Sequence, residues 1–361
     1  MFSRELASCL SKCISCGACN DSCPLVRFID GNETLGPRAR ISIFRAIDMG
    51  IMRISVDAIE YLYECGLCSL CDRSCPLDIE VSKLILGIRA ELIKLGYVPP
   101  YEIAKVRNSL LDTMQPWSRE HRKGKWLPPD YSPSEEANVL FFSGCWANRA
   151  PEMASSAFFI TETLLGSKVY CLGENEPCCG QLLRIAGYEE TYKDYLVKFR
   201  EHICDRGIEK VLVLCESCKA TMKDLGLEVS TLLEELCEER LLKKLRKRRR
   251  KPKSRKVAFL PTCPPRYEHS SLLEKFMGEK FVEMPSWFCM SCGFSLSEIA
   301  SLKTLEQMVD GIFRVLEDEK VDLLVVADPF SYWLLSESRN KRKAKTEIID
   351  LYSFLVERIK A

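Results

Sequence analysis

The sequence predicts an α+β multidomain chain: an α-helical N-terminal domain, then two α/β domains related by internal duplication. Three observations lead there. The 361 residues, 47% of them apolar, are enough to bury two or three separate cores. A cysteine pattern near the N-terminus occurs twice, 52 residues apart (Cys13 to Cys65), with helix-like stretches beside it. Further on, short β-branched and aromatic runs alternate with helical patterns, and a set of these runs recurs in the C-terminal third.

The N-terminal repeat is Cys13-x-x-Cys16-x-x-Cys19-x-x-x-Cys23-Pro24, returning as Cys65-x-x-Cys68-x-x-Cys71-x-x-x-Cys75-Pro76, with a glycine inside each copy, Gly17 and Gly66. The stretches Ile41 to Met52 and Val81 to Leu95, rich in Ile, Leu, Ala, Arg and Lys, read as helices, which makes residues 1–114 an α-helical domain. Residues 115–136, with Pro128-Pro129 and Ser132-Pro133, read as a linker. Val139 to Phe142 and Lys210 to Leu214 read as strands of a first α/β domain, residues 137–242. A basic run, KKLRKRRRKPKSRK over 243–256, reads as a solvated linker.

Residues 257–361 form the second copy. "VLFFSGC" ending at Cys145 corresponds to "VAFLPTC" ending at Cys263, and Cys179-Gly180 to Cys292-Gly293. "VLVLCESC" over 211–218 lines up with "LLVVADPFS" over 323–331, which sets Asp328 opposite Cys215 and Ser331 opposite Cys218.

Composition narrows the chemistry. Lys and Arg total 52 against 51 acidic residues, a formal charge of +1, so no global basic field argues for nucleic acid. The first ten residues lack the apolar core of a signal peptide, and no uncharged run is long enough to span a membrane. The expected location is the cytoplasm. There, 20 cysteines beside three histidines (His121, His202, His269) point to thiolate-bound soft metals instead of disulfides.

Three cysteines at two-residue intervals let successive sulfurs reach neighbouring irons of a cubane from one tight loop. The fourth, followed by Pro, points away, and in two-cluster ferredoxins it serves the other cluster. On that logic Cys13, Cys16, Cys19 and Cys75 hold one 4Fe-4S cluster, and Cys65, Cys68, Cys71 and Cys23 hold a second. Zinc sites favour two pairs across a longer loop, which this spacing lacks. Cys9, just outside the pattern, reads as a small buried residue. The first α/β domain offers Cys145, the adjacent Cys178-Cys179 before Gly180, and Cys215-x-x-Cys218. Adjacent cysteines pair poorly with each other, whereas two sulfurs side by side suit different metals of one cluster.

This set resembles the cysteine-rich CCG domain of heterodisulfide reductase and of the iron–sulfur subunits of lactate, glycolate and glycerol-3-phosphate dehydrogenases. "LGPRARIS" (Leu35 to Ser42) is likewise similar to a segment between their cubane motifs. The resemblance implies a two-cluster helical ferredoxin domain followed by two CCG domains. It also implies a noncubane 4Fe-4S cluster on Cys145, Cys178, Cys179, Cys215 and Cys218, with Cys178 and Cys179 nearest the chemistry. The second copy departs from the pattern: Cys263, Cys289 and Cys292 with Asp328 would make a zinc or cubane site, or hold no metal at all.

The leading expectation is an electron-transfer subunit of a heterodisulfide-reductase-like or flavin-linked dehydrogenase complex. Its partners would be other redox subunits: a flavoprotein, or a soluble or membrane-bound electron carrier that could also bring the chain to a membrane. Neither G-x-G-x-x-G after a strand nor a P-loop occurs, so flavin and nucleotide chemistry is assigned to a partner. Two rivals are a thiol–disulfide reductase acting at the noncubane cluster and a metal-stabilised docking protein for a flavoprotein.

Overall fold

The computed structural model describes residues 2–116, 126–132, 136–203, 207–238, 255–262, 271, 274, 280–290 and 302–359. Cys263, Cys292 and all of the basic run except Arg255 and Lys256 lie outside them. The chain divides into two compact units, each assembled from three separate stretches: Met1–Asn108, Leu182–Lys193 and Pro285–Val315 in one, Ser109–Gln181, Asp194–Met284 and Leu316–Ala361 in the other.

The first unit is helical. Its N-terminal helix, Arg4–Lys12, is capped by Ser3, whose Oγ accepts from Leu6 N. The stretch read as a helix over 41–52 forms Pro37–Asp48. It starts earlier because Pro37 sits at the first helical position, where its fixed φ suits a start, and Gly50 turns left-handed just beyond its end. The second predicted helix forms as Val81–Lys94. Both bury apolar residues at helical spacing, Ile41, Phe44 and Ile47 in one and Leu84, Ile85, Ile88 and Leu92 in the other.

Two later stretches pack into this unit through glycines whose positions tolerate no side chain. A Cβ on Gly187 would stand 2.7 Å from the Arg89 carbonyl carbon, and one on Gly311, in the helix Leu302–Asp318, only 2.1 Å from the Phe28 oxygen. Tyr63 donates its hydroxyl to Ala186 O (2.9 Å), and Thr304 Oγ1 donates to Glu64 Oε1 (2.8 Å).

The second unit holds two four-stranded, all-parallel sheets. Strands β1 (Val139–Phe142), β2 (Val169–Tyr170), β3 (Lys210–Val213) and β4 (Val229–Thr231) run in the order β2-β1-β3-β4. Strands β5 (Val257–Leu260), β6 (Phe281–Val282), β7 (Leu323–Val326) and β8 (Glu347–Asp350) repeat that order as β6-β5-β7-β8. Every residue of β1, β5 and β7 is buried, which is why these strands read as continuous apolar runs. The helices Pro151–Leu165 and Leu351–Ile359 pack on each other, with Ser156 Oγ 2.9 Å from Ser353 Oγ. One core, including Phe141, Phe158, Leu212, Phe259, Val325 and Tyr352, joins residues of both sheets.

Part of the expected linker belongs to this core. Trp126 is buried and meets Phe141 and Phe158 at 5.7 Å, and Tyr131 lies edge-on to Phe158 at 5.3 Å. Proline marks this stretch as irregular, but its aromatic rings supply apolar area worth burying.

Candidate metal centres

In the first unit the two cysteine loops adopt one conformation twice. Ser15 and Gly17 have positive φ (57° and 85°), and so do Leu67 and Ser69 (49° and 59°), the residues that follow them by the repeat length. Gly17 therefore corresponds to Ser69, not to Gly66, and the second loop takes its left-handed turn without glycine. The residues before the two Cys-Pro steps, Ser22 and Ser74, hydrogen-bond to each other through their hydroxyls.

Each loop faces a hollow completed by the other. One hollow, of about 370 Å³, is lined by Cys13, Cys16, Cys19 and Cys75, with Ile41, Leu77 and Ile79 around them. The other, of about 420 Å³, is lined by Cys65, Cys68, Cys71 and Cys23, with Pro24, Arg40 and Ile85. Burial and neighbouring sulfurs push the Cys19 thiol up to about 11 and Cys23 up to about 12, and raise Cys71 as well. Crowded buried sulfurs resist ionising together unless a cation compensates them, so this donor set suits a thiolate-ligated metal group. Among the described residues no three His, Cys, Asp or Glu side chains are close enough to hold a single metal ion; in the first unit the sulfurs surround a space, not a point.

Two fully buried guanidiniums brace the second hollow, and sequence reading singled out neither. Arg89 donates to Leu62 O and Cys65 O (both 2.8 Å) and to Ile185 O (2.7 Å), with its guanidinium over the Tyr63 ring. Arg40, inside the "LGPRARIS" segment, donates to Tyr61 O (3.2 Å) and pairs with Glu64 at 3.7 Å. Each ties the entry to the Cys65 loop, where backbone carbonyls would otherwise be buried without donors.

In the second unit the five expected cysteines meet. Cys178 lies beside Cys145 and Cys179, Cys179 beside Cys218, and Cys218 beside Cys215, a connected set of sulfurs. Local structure brings them there. Cys145 opens the short helix Cys145–Asn148 after β1, and Cys215 caps the helix Glu216–Asp224 after β3, near that helix's positive end. The buried Glu176 carboxylate accepts from Ser143 N, Ser143 Oγ and Gly144 N (3.1, 2.8 and 2.7 Å), fixing the turn before Cys145. Tyr195 donates to Cys178 O at 2.6 Å, and its ring lies where a Cβ on Gly180 would be, 2.5 Å away. Hydrogen bonds to neighbouring thiols, with burial, hold Cys178, Cys179 and Cys218 well above the ordinary thiol range.

Of the expected second set, Cys289 and Asp328 are among the described residues. Cys289 belongs to the first unit, where it holds the Cys68 thiol below its ordinary value. Asp328 belongs to the second unit and caps the helix Pro329–Arg342, accepting from Ser331 N and Oγ (both 2.9 Å). Burial and the nearby Cys215 push its carboxyl up to about 7. Asp328 occupies after β7 the helix-start position that Cys215 occupies after β3, and of the two only Asp328 makes a side-chain cap bond.

Comparison with known proteins matches this layout. A family model described as "4Fe-4S dicluster domain" matches residues 9–79, and one described as "Cysteine-rich domain" matches residues 139–223. A subunit of the dihydromethanophenazine:CoB--CoM heterodisulfide reductase of Methanosarcina barkeri is 25% identical, over 96% of this chain and 93% of that protein. The same subunit in Methanosarcina acetivorans is 28% identical, over 95% and 92%. The glycolate oxidase iron–sulfur subunit of Escherichia coli is 24% identical, over 90% and 89%. Among the described residues no helix is long and apolar enough to cross a membrane. The chain is therefore an iron–sulfur protein with a 4Fe-4S dicluster domain and a cysteine-rich domain, homologous to these heterodisulfide reductase polypeptides and to the glycolate oxidase iron–sulfur subunit.

Proposed function

We propose that this chain is the electron-relay subunit of a redox complex that reduces a heterodisulfide or oxidises a small hydroxy acid such as glycolate. Cys13, Cys16, Cys19 and Cys75 would hold one 4Fe-4S cluster, Cys65, Cys68, Cys71 and Cys23 a second, and Cys145, Cys178, Cys179, Cys215 and Cys218 a third, noncubane one. When bound, such clusters take up and release single electrons. The same strand order in both sheets supports an origin by duplication.

The observation that carries the reading is the exchange of sulfurs, each hollow being lined by three cysteines of one loop and the Cys-Pro cysteine of the other. The chain's own residues then act as scaffold. Arg89 and Arg40 pin the second loop, the Ser22 and Ser74 hydroxyls join the two arms, and Glu176 and Tyr195 hold Cys145 and Cys178 in place. A relay is favoured over direct attack on a disulfide because Cys178, Cys179, Cys215 and Cys218 are all buried. The dehydrogenase or reductase partner would supply flavin or substrate chemistry.

Anaerobic iron and sulfide analysis of the intact chain tests this. About twelve irons are expected. Replacing Cys75 by Ser should alter the EPR signal of the same centre as Cys16→Ser, and Cys23→Ser that of the same centre as Cys68→Ser. Iron-free protein, or Cys75→Ser pairing with Cys68→Ser, would refute it.

A further inference from the structure

Arg38 and Arg40 stand close together at the start of the helix Pro37–Asp48, yet they line different hollows, Arg38 the first and Arg40 the second. Their surroundings differ. The Arg38 side chain is 40% exposed and forms an ion pair with Glu33, so its charge is both matched and screened by water. Arg40 is 1% exposed. Its Nε donates to Tyr61 O (3.2 Å) and its Nη1 to Leu35 O. Its Nη2 is buried and finds no hydrogen-bond acceptor among the described residues. The Glu64 carboxylate stands 3.7 Å from that nitrogen, beyond hydrogen-bond reach, and its other oxygen accepts from Thr304 Oγ1. Arg89, the second buried guanidinium here, gives its bonds to the neutral carbonyls of Leu62, Cys65 and Ile185. Two buried cations thus flank the Cys65 loop beside one carboxylate, and a charged donor on the wall of the second hollow is left over.

We infer that Arg40 serves the second centre itself, its spare Nη2–H donating to a sulfur of that centre and its charge raising the centre's reduction potential above the value it would have beside a neutral side chain. The inference rests on the two-centre reading above. A buried charged donor without an acceptor is costly, so the hollow that Arg40 lines is where its acceptor belongs. Reduction adds negative charge that spreads onto sulfur, and net charge and hydrogen bonds to sulfur are both determinants of such potentials. A guanidinium keeps its proton at any working pH, and away from water its field is weakly screened. Arg38, exposed and already paired, exerts little of this at the first hollow. The two arginines therefore make the two centres electrically unequal.

The test is an anaerobic redox titration of the full chain with graded dithionite, each centre being followed by EPR, in wild type, Arg40→Met, Arg40→Lys and Arg38→Met. The second centre is the one whose signal Cys68→Ser alters. Arg40→Met should shift its oxidised-to-reduced balance about tenfold toward oxidised, which is about 59 mV for one electron, and move the first centre far less. Arg40→Lys, which keeps the charge, should shift the second centre by less than about threefold. Arg38→Met should leave the first centre within the same limit. In chains grown on arginine labelled with heavy nitrogen, pulsed EPR should find a nitrogen coupling at the second centre of wild type that Arg40→Lys removes. Unchanged potentials, equal shifts from Arg40→Met and Arg40→Lys, equal shifts in both centres, or no such coupling in wild type each overturn the inference. Should Arg40→Met shed iron because Leu35 O and Tyr61 O lose their donor, the labelled wild type and Arg40→Lys decide the matter. Failure of the underlying reading shows separately, as a wild-type chain with fewer than two EPR-active centres.

Discussion

Gly311 gives a test in which the sign of the effect decides. In an exposed helix interior, replacing Gly by Ala stabilises by about 1 kcal/mol, because the backbone gives up less freedom on folding. Gly311 lies inside the helix Leu302–Asp318, and an Ala Cβ there would stand 2.1 Å from Phe28 O, 2.7 Å from Phe28 C and 2.8 Å from Phe28 Cα. All three neighbours are backbone, so no rotamer change relieves the overlap. Overpacking of this kind costs about 3 kcal/mol or more. The expected net effect of Gly311→Ala is a loss of about 2 kcal/mol. Anaerobic urea unfolding followed by circular dichroism, with the slope held common to both proteins, measures it. A Gly311→Ala chain that is more stable than wild type would show that this helix does not press on Phe28.

Two further substitutions probe the scaffold. Arg89→Met keeps the apolar stem but strips donors from Leu62 O, Cys65 O and Ile185 O; a loss of about 3–5 kcal/mol is expected, with iron released during anaerobic gel filtration, and a loss under about 1 kcal/mol would contradict the bracing role. Asp350, pushed up by burial from 3.8 to about 6, holds its proton in the folded chain at pH values where the unfolded chain has released it. Stability therefore falls as pH rises from about 4 to 6, by about 3 kcal/mol in total. Asp350→Asn keeps a side chain able to accept from Ser353 N and lacks that loss. It should be more stable than wild type above about pH 6, with the gap closing on acidification; a gap independent of pH would refute the assignment.

Features written locally were legible in the sequence. The cysteine triads, the buried runs "VLFF" and "LLVV", and the paired Cys178-Cys179 each announce their chemistry within a few residues. What depends on distant contacts was not. Nothing near Arg89 signals that its guanidinium will meet Ile185 O, and the glycine at 187 that permits the approach lies almost a hundred residues away. The surroundings of Cys289 are a second such case. Its spacing to Cys292 resembles a ligand pair, while the aromatic packing next to it, at Trp287 and Phe288, involves Phe28, far back in the chain. Gly66 was misread through composition: a glycine in each loop suggested equivalence, yet the left-handed position of the second loop is Ser69.

The Asp328 cap at the start of the helix after β7, compared with Cys215 at the start of the helix after β3, bears on how firmly each helix begins. A side-chain cap is worth about 1 kcal/mol and comes with the polypeptide. The Pro329–Arg342 helix carries its own fastener, and Glu216–Asp224, begun by Cys215 without a side-chain cap bond, does not. Without bound metal, the first turn of Pro329–Arg342 should thus resist amide exchange better than the first turn of Glu216–Asp224.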